Sequence, residues 1–144
     1  MFDARVLLVD DEVAFVTAMS KRLTKRDLHV TTAFSGSEGI EILEKDSNID
    51  VVILDVKMPG MDGLQTLQAI RNRFPLVEVV MLTGYSTVEW AINAMKIGAF
   101  DYLLKPCEID LLMTKILEAK ARKAKHEEKI ISARMKQIAM RKPS

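Results

Sequence analysis

Several features are scarce or absent in the 144-residue chain, and each absence narrows the class of protein. A single cysteine, Cys107, rules out a disulfide within the chain and fits a reducing compartment. No apolar run approaches the roughly 18 residues that a membrane-spanning helix needs. His29 and His126 have no metal-ligand partner at a suitable spacing, so neither predicts a metal site. Acidic residues begin too early in MFDARVLLVDDE for a signal peptide, and we therefore expect a cytoplasmic protein.

The residues that are present describe a globular domain with an uneven charge. Hydrophobic residues make up 49% and charged residues 28%, a balance typical of a folded domain with its own core. Residues 115–142 hold ten Lys and Arg against three Glu, a net charge of +7. The rest of the chain holds eleven basic and seventeen acidic residues, a net charge of −6. We predict a domain at 1–120 and a basic helical extension at 121–144 that can act as a coiled-coil linker.

Strand-like runs alternate with helical patterns along the chain. Buried or alternating apolar residues predict five strands, at 5–10, 28–34, 50–56, 77–82 and 100–104. Apolar residues at helical spacing predict five helices, at 13–26, after a cap at Ser35 or Ser37, at 63–74, at 86–97 and from 108 almost to the end. This alternation is typical of right-handed βαβ units. We therefore expect an α/β fold, a doubly wound parallel sheet of five strand-and-helix repeats with an extended C-terminal helix.

The C-terminal helix is longer than such a sheet needs. Beyond its first turns, seven positions step by four and three residues in alternation, a heptad pattern with one polar member. These positions are Leu117, Ala121, Ala124, Glu128, Ile131, Met135 and Ile138. The pattern is short and rich in alanine, and it indicates that the extension can pair with another helix.

Polar side chains gather where four of the five predicted strands end. The first strand ends in Asp10 and Asp11 and the third in Asp55, and the fourth ends in Thr83 and the fifth in Lys105. Because the carboxyl ends of parallel strands share one edge of a sheet, we expect these groups to lie close together. Each residue alone has an ordinary explanation, as a helix cap, a turn residue or a solvated side chain. Their chemical complementarity as a set indicates a functional site.

Three crowded carboxylates repel one another unless a cation joins them, and Mg²⁺ is the hard cation that prefers oxygen ligands. Carboxylates also form aspartyl-phosphates, so Asp55 is a candidate nucleophile. Mg²⁺, the Lys105 ammonium, the Thr83 hydroxyl and backbone N–H groups after Asp55 can neutralise the charge of a transferred phosphoryl group. We expect the Pro59–Gly60 pair to form a turn that keeps this site open.

Four segments carry a family resemblance: LLVDDE, VVILDVKMPGMDG, VVMLTGYS and GAFDYLLKP. Over residues 5–119 they resemble the response-regulator receiver domain of two-component signalling, both its single-domain regulators and its nitrogen-regulation type. The resemblance implies a flavodoxin-like sheet with strand order 2-1-3-4-5. It also implies a phosphoacceptor switch rather than an enzyme, with a sensor histidine kinase or a phosphotransfer protein as its partner.

The resemblance assigns roles to the residues at the strand ends. Asp55 accepts the phosphoryl group, and Asp10, Asp11 and Asp55 bind Mg²⁺ together with the backbone carbonyl of Lys57. Lys105 bridges Asp55 and the phosphoryl group.

The resemblance also assigns residues to the conformational switch and to the lifetime of the phosphorylated state. Thr83 moves to bind a phosphoryl oxygen, and Tyr102 moves inward behind it, which changes the surface of helix 4, strand 5 and helix 5. Lys57 and Tyr85 flank the path of the hydrolytic water and are expected to slow the loss of phosphate. The peptide bond before Pro106 is expected to be cis.

A haloacid-dehalogenase-like phosphatase is the enzyme alternative, since it also uses Mg²⁺ and an aspartate nucleophile. That class carries a D-x-D motif after its first strand, whereas this chain has the adjacent pair Asp10–Asp11 there and its nucleophile candidate after the third strand. A cap domain is missing too. A flavin carrier shares the fold, but its phosphate loop is rich in Ser, Thr and Gly rather than acidic.

The output of the switch has two candidate forms. No helix-turn-helix or ATPase pattern follows residue 120, so the chain is either a standalone relay or the receiver part of a larger transcriptional regulator. We expect a homodimer, through the C-terminal helix or through the helix 4, strand 5 and helix 5 surface. Neither nucleic acid nor a membrane is an expected partner of this domain.

Overall fold

The computed structural model describes residues 4–58, 60–85 and 87–141. Two predicted features fall partly outside these ranges: Pro59 of the expected turn, and Ser86 as the first residue of the fourth helix. Residues 1–3 of the predicted domain (1–120) and residues 142–144 of the predicted extension (121–144) also lie outside these ranges.

Five strands form one parallel sheet. They are β1 (Arg5–Val9), β2 (His29–Ala33), β3 (Val51–Leu54), β4 (Glu78–Thr83) and β5 (Asp101–Leu104). The order across the sheet is β2-β1-β3-β4-β5, which confirms the predicted flavodoxin-like topology. Since every neighbouring pair is parallel, all five carboxyl ends lie on one edge, called here the site edge, and all five amino ends lie on the opposite edge, called the base.

Five helices alternate with the strands, as predicted. They are α1 (Val13–Thr24), α2 (Gly36–Lys45), α3 (Gly63–Arg73), α4 (Val88–Ile97) and α5 (Ile109–Met140). Of the two candidate caps for α2, Ser35 is the one used, and its hydroxyl accepts a hydrogen bond from the Glu38 amide at 3.1 Å. The α4 helix begins at Val88 because Thr87 caps it, and it ends at Gly98, whose φ of 124° suits a residue without a Cβ.

The sheet is covered on both faces, which explains why its central strands are continuously apolar. One core joins the sheet to α1 and α5 through residues such as Leu23, Leu112 and Ile116. The other joins it to α2, α3 and α4 through residues such as Leu67 and Ile70. Every residue of β3 and β4 is buried, so polar residues in or next to these strands need a partner.

The α5 helix is one continuous element of 32 residues, and only its first half packs on the body. Its buried positions are Ile109, Leu112, Met113, Ile116, Ala119 and Lys123. Every residue from 128 to 141 is exposed. We call residues 124–141 the arm; at about 1.5 Å per residue it is about 27 Å long. Within the described ranges, no helix combines the length and apolar character needed to cross a membrane.

Candidate functional site

Two buried aspartates follow β1 and β3 at the site edge. The Asp10 amide donates to the Ala33 carbonyl and the Asp55 amide to the Val9 carbonyl, both at 3.1 Å, so the sheet ladder continues through both residues. Asp11 comes next after Asp10 and is half-buried. One carboxylate oxygen from each of Asp10, Asp11 and Asp55 lies within 4.8 Å of the other two. The sheet therefore brings together the three carboxylates that the sequence predicted to meet.

These carboxylates are costly to hold in this position. Asp10 is 1% exposed and Asp55 is 6% exposed. Burial raises the pKa of Asp10 and the nearby charge of Asp55 adds to this, while hydrogen bonds from Lys105 and the Glu12 amide act in the opposite direction. An all-oxygen donor set of this kind fits a hard divalent cation such as Mg²⁺. The acidic triad can thus hold a metal ion.

Lys105 is the cation that the structure places among these carboxylates. Its Nζ lies 2.6 Å from Asp10 Oδ2, 3.1 Å from Glu12 Oε1 and 3.8 Å from Asp55 Oδ2. Burial alone would lower its pKa, but the hydrogen bond to Asp10 and the charges of Asp10 and Asp55 raise the pKa overall, so it stays an ammonium. The peptide bond that follows it, Lys105–Pro106, is cis.

Two contacts of Lys105 were not predicted. Glu12 accepts its second hydrogen bond, and the Phe15 ring lies with its centroid 4.0 Å from the ammonium. A cation over an aromatic face is attracted by the ring quadrupole, which makes the electrostatic potential at that face negative. The available signal was the sequence spacing, because Glu12 adjoins Asp11 and Phe15 lies one helical turn further on.

Thr83 and Tyr102 are linked through the loop after β4. Thr83 is fully buried, and its Oγ1 accepts a hydrogen bond from the Tyr85 amide at 3.2 Å. The Tyr102 hydroxyl donates to the Tyr85 carbonyl at 2.7 Å. Burial raises the pKa of Tyr102, and the charge of Asp55 raises it further. The backbone of Tyr85 therefore connects the two residues that were predicted to switch together.

Lys57 and Tyr85 face each other across the mouth of the site. The Lys57 ammonium donates to the Tyr85 hydroxyl and lies 4.9 Å from the centroid of its ring. Both line an open pocket of about 570 Å³ that also includes Asp11 and Asp55. Lys57 and Tyr85 therefore line the same open pocket as Asp55.

The loop between β3 and α3 is shaped by close backbone contact. A Cβ on Gly63 would lie 2.0 Å from the Asp55 carbonyl oxygen, so no larger residue fits without moving the backbone beside Asp55. The Gly63 amide donates to the Val56 carbonyl at 2.7 Å, and Asp62 caps α3 through a capping box with Gln65. These contacts fix the chain directly after Asp55, the segment that includes Lys57.

Comparison with known proteins agrees with this geometry. The sequence profile of the family described as "Response regulator receiver domain" matches residues 6–117. The transcriptional regulatory protein ZraR of Escherichia coli (strain K12) is 37% identical over 116 residues, which are 81% of this chain and 26% of that protein. The DNA-binding transcriptional regulator NtrC of Klebsiella pneumoniae is 40% identical over 103 residues, which are 72% of this chain and 22% of that protein.

Solved structures show the same likeness. A crystal structure of a response regulator receiver domain protein from Clostridium thermocellum superposes with a TM-score of 0.80 at 38% identity, covering 84% of this chain and 97% of that one. The chain thus spans about a quarter of the length of the curated relatives named above but nearly all of this structural neighbour.

Proposed function

The chain belongs to the response regulator receiver domain family, and on that basis we propose that it is a signalling switch that is phosphorylated on Asp55. A histidine kinase is the partner that this family implies. Receiver domains are not classical enzymes, so the phosphatase alternative is set aside. The observation that carries the proposal is the cluster of Asp10, Asp11 and Asp55, whose carboxylate oxygens lie within 4.8 Å of one another.

Asp10, Asp11 and Asp55 would hold Mg²⁺, with the Lys57 carbonyl as a further ligand. The bound ion would supply positive charge against the oxygens of the phosphoryl group and would offset the repulsion among the three carboxylates. The oxygen-only donor set supports this choice of metal.

In the proposed transfer, a carboxylate oxygen of Asp55 bonds to phosphorus as the P–N bond of a donor phosphohistidine breaks. Lys105, with its ammonium 3.8 Å from Asp55, lies close enough to bind the incoming phosphoryl oxygens. Asp10 and Glu12 hold the ammonium beside the reacting carboxylate until then.

The proposed switch starts from the hydrogen bonds of the loop after β4. Phosphorylation adds about −1.5 to −2 units of charge beside Thr83. We propose that the Thr83 side chain turns to donate to a phosphoryl oxygen, that this movement breaks the bond that its Oγ1 accepts from the Tyr85 amide, and that the loop that Tyr102 holds through the Tyr85 carbonyl is thereby loosened. A local charge thereby changes the surface formed by α4, β5 and α5.

Lys57 and Tyr85 are proposed to set the lifetime of the phosphorylated state. Their contact at the mouth of the pocket restricts the approach of water to Asp55. We therefore expect slow self-dephosphorylation.

The arm is proposed to mediate homodimerisation, which supports a receiver-and-linker organisation divided near residue 120. Its heptad residues Ile131, Met135 and Ile138 are 58%, 66% and 69% exposed. A repeating apolar pattern of this kind is buried when two identical helices pair. The alternative surface at α4, β5 and α5 also exposes apolar residues, among them Ile92, Met95 and Leu104. Two outputs are candidates: a standalone relay, and control of transcription as the receiver part of a larger regulator. We propose that the switch acts in the cytoplasm.

The test is labelling by acetyl phosphate, a small donor that needs no kinase. We expect Mg²⁺-dependent, acid-labile label on the wild-type chain and none on Asp55→Asn. The matched control is Asp27→Asn, which removes an exposed carboxylate outside the site and should leave labelling unchanged. Undiminished labelling of Asp55→Asn at the same Mg²⁺ concentration would overturn the assignment.

A further inference from the structure

A second cluster of charged side chains lies at the base, on the opposite edge from Asp55. Lys123 follows the buried positions Ile109, Leu112, Ile116 and Ala119 in a three-and-four spacing, so it occupies a core position of α5 and is 8% exposed. Its ammonium lies 3.3 Å from Asp50 Oδ1 and 3.3 Å from Glu127 Oε2. Asp50 directly precedes β3.

Glu78 is the other buried member of this cluster. It begins β4 and is 1% exposed. Arg71 Nη1 lies 3.5 Å from one carboxylate oxygen and donates at 2.8 Å to the Val77 carbonyl. Arg122 Nε lies 3.2 Å from the other oxygen, which accepts no hydrogen bond from the described residues, so Arg122 contributes charge rather than a hydrogen bond. A buried carboxylate in this state depends on the cation beside it.

Arg122 and Lys123 contact the amino ends of three adjacent strands. Lys123 pairs with Asp50 before β3, and Arg122 pairs with Glu78 at the start of β4. The Arg122 guanidinium also lies 5.8 Å from the centroid of the Phe100 ring, just before β5. Beyond Glu127 every described residue of α5 is exposed, and among the described residues Arg122 and Lys123 are the last of the helix to form an ion pair with another element of the fold.

We propose that the ion pairs of Arg122 and Lys123 with Glu78 and Asp50 are an anchoring site that fixes the direction of the arm and so sets the angle at which it meets a second copy of this chain. The second half of the inference rests on the proposed dimer. Without these pairs the packed stripe would end at Ala119, so the unsupported part of α5 would begin about one turn earlier, and bending and fraying there would spread the arm over a wider range of directions.

A plain stabilising role for the cluster makes a different prediction. If the pairs only stabilised the body, their loss would lower the free energy of unfolding and leave the direction of the arm unchanged. The two readings are separated by a distance measurement between the body and the arm.

The experiment uses the full chain with Cys107→Ser and two spin labels, one at Glu41→Cys on α2 and one at Ser132→Cys on the arm. Both positions are exposed. Labelled chains are diluted with unlabelled ones so that pulsed electron resonance reads distances within one chain. The test variant is Arg122→Gln with Lys123→Met, and the matched control is Arg134→Gln with Lys125→Met, which removes two exposed charges from the same helix.

We expect a narrow distance distribution in the wild type and the control. In the test variant the distribution roughly doubles in width, and the dimer dissociation constant, measured by sedimentation, rises about tenfold. The single variant Arg122→Gln, at a half-exposed position that does not threaten folding, shows the same broadening to a smaller degree. An unchanged distribution in both variants overturns the anchoring site, and a wild-type chain that stays monomeric overturns its role in setting a dimer angle.

Labelling of Asp55 in the same samples keeps the two proposals apart. Because the anchor lies at the opposite edge of the sheet, all variants should accept phosphate from acetyl phosphate as the wild type does. A wild-type chain that takes no label contradicts the phosphoacceptor proposal, while the distance distributions still decide the anchoring site.

Discussion

The two edges of the sheet both hold clusters of charged side chains, but they differ in the balance between carboxylates and cations. At the site edge, Asp10, Glu12 and Asp55 all lie within 4 Å of the Lys105 ammonium, and Asp11 adds a further carboxylate to the cluster. At the base, Glu78 lies between Arg71 and Arg122, and Asp50 pairs with Lys123. The first edge has more carboxylates than cations to match them, whereas at the base the three carboxylates of Asp50, Glu78 and Glu127 pair with the three cations of Arg71, Arg122 and Lys123.

We infer from this difference that the site edge serves binding or chemistry and that the base serves structure. Buried charges that are fully paired hold elements in place, because removing one partner leaves the other unpaired. Buried carboxylates in excess cost stability, and a fold retains that cost where the charge is used for binding or chemistry. The predictions below test each edge for the behaviour that its charge balance implies.

The largest expected effect on stability is at the base. Glu78→Gln leaves Arg71 and Arg122 without their buried counter-charge, and we expect the free energy of unfolding in urea to fall by about 3 kcal/mol. This value is at the low end of the roughly 3–5 kcal/mol that the loss of one partner of a buried ion pair usually costs, because both arginines keep contact with solvent. Labelling of Asp55 should be unchanged in the folded variant.

The matched control for that variant is Glu41→Gln, at an exposed position on α2. Its free energy of unfolding should stay within about 0.5 kcal/mol of the wild type. A Glu78→Gln variant as stable as this control would show that the base pairs contribute nothing net.

Mg²⁺ should act only at the site edge. At a free concentration about 100 times its dissociation constant, Mg²⁺ bound to the folded chain alone adds about 2.7 kcal/mol to the free energy of unfolding. We expect Asp55→Asn to lose most of that gain and Glu78→Gln to retain it. Thermal unfolding with Mg²⁺ and with chelator measures both, and an equal gain in the two variants would contradict the assignment of the metal to the triad.

The next prediction concerns the proposal that Lys57 and Tyr85 restrict the approach of water to phosphorylated Asp55. Tyr85→Ala opens the pocket that Lys57 and Tyr85 line, and we expect label to be lost about tenfold faster, equivalent to about 1.4 kcal/mol of barrier. Tyr85→Phe keeps the ring but removes the hydroxyl that Lys57 contacts, so it separates bulk from the hydrogen bond. Decay of Tyr85→Ala no faster than the wild type would show that shielding is wrong.

The sequence predicts the site edge better than the base for a physical reason. Each of these residues is the last of an apolar strand or comes directly after one, so topology alone brings Asp10, Asp55, Thr83 and Lys105 to one edge. The base pairs join α5 to strands far away in the chain, and their formation depends on how α5 crosses the sheet, which spacing does not specify. Two signals were nevertheless available: Glu78 inside an apolar run, and Lys123 in phase with Ile116 and Ala119.

The same reasoning explains the details that sequence patterns missed within the site. The contacts of Lys105 with Glu12 and Phe15 need the geometry of the loop between β1 and α1, because a flexible lysine can reach several acceptors. The heptad pattern of the arm was visible in the sequence, whereas the place where α5 leaves the body was not. The reason is that the heptad positions begin at Leu117, before the last buried position at Lys123.

The smallest expected effect concerns the pH dependence of stability at the site edge. Burial raises the pKa of Asp10 in the folded chain above its ordinary value of 3.8. At neutral pH the charged form therefore costs stability, and this cost disappears as the pH falls from the folded value toward 3.8, because the folded chain then binds the proton more tightly than the unfolded chain. In the presence of chelator at pH 7, we expect the free energy of unfolding of Asp10→Asn to exceed that of the wild type by about 1 kcal/mol. This difference should shrink as the pH falls. Urea unfolding across this range measures it, with Asp27→Asn, at an exposed position outside the site, as the matched control. A difference that grows in acid would mean that the pair with Lys105 outweighs burial, and the site edge would then be balanced like the base.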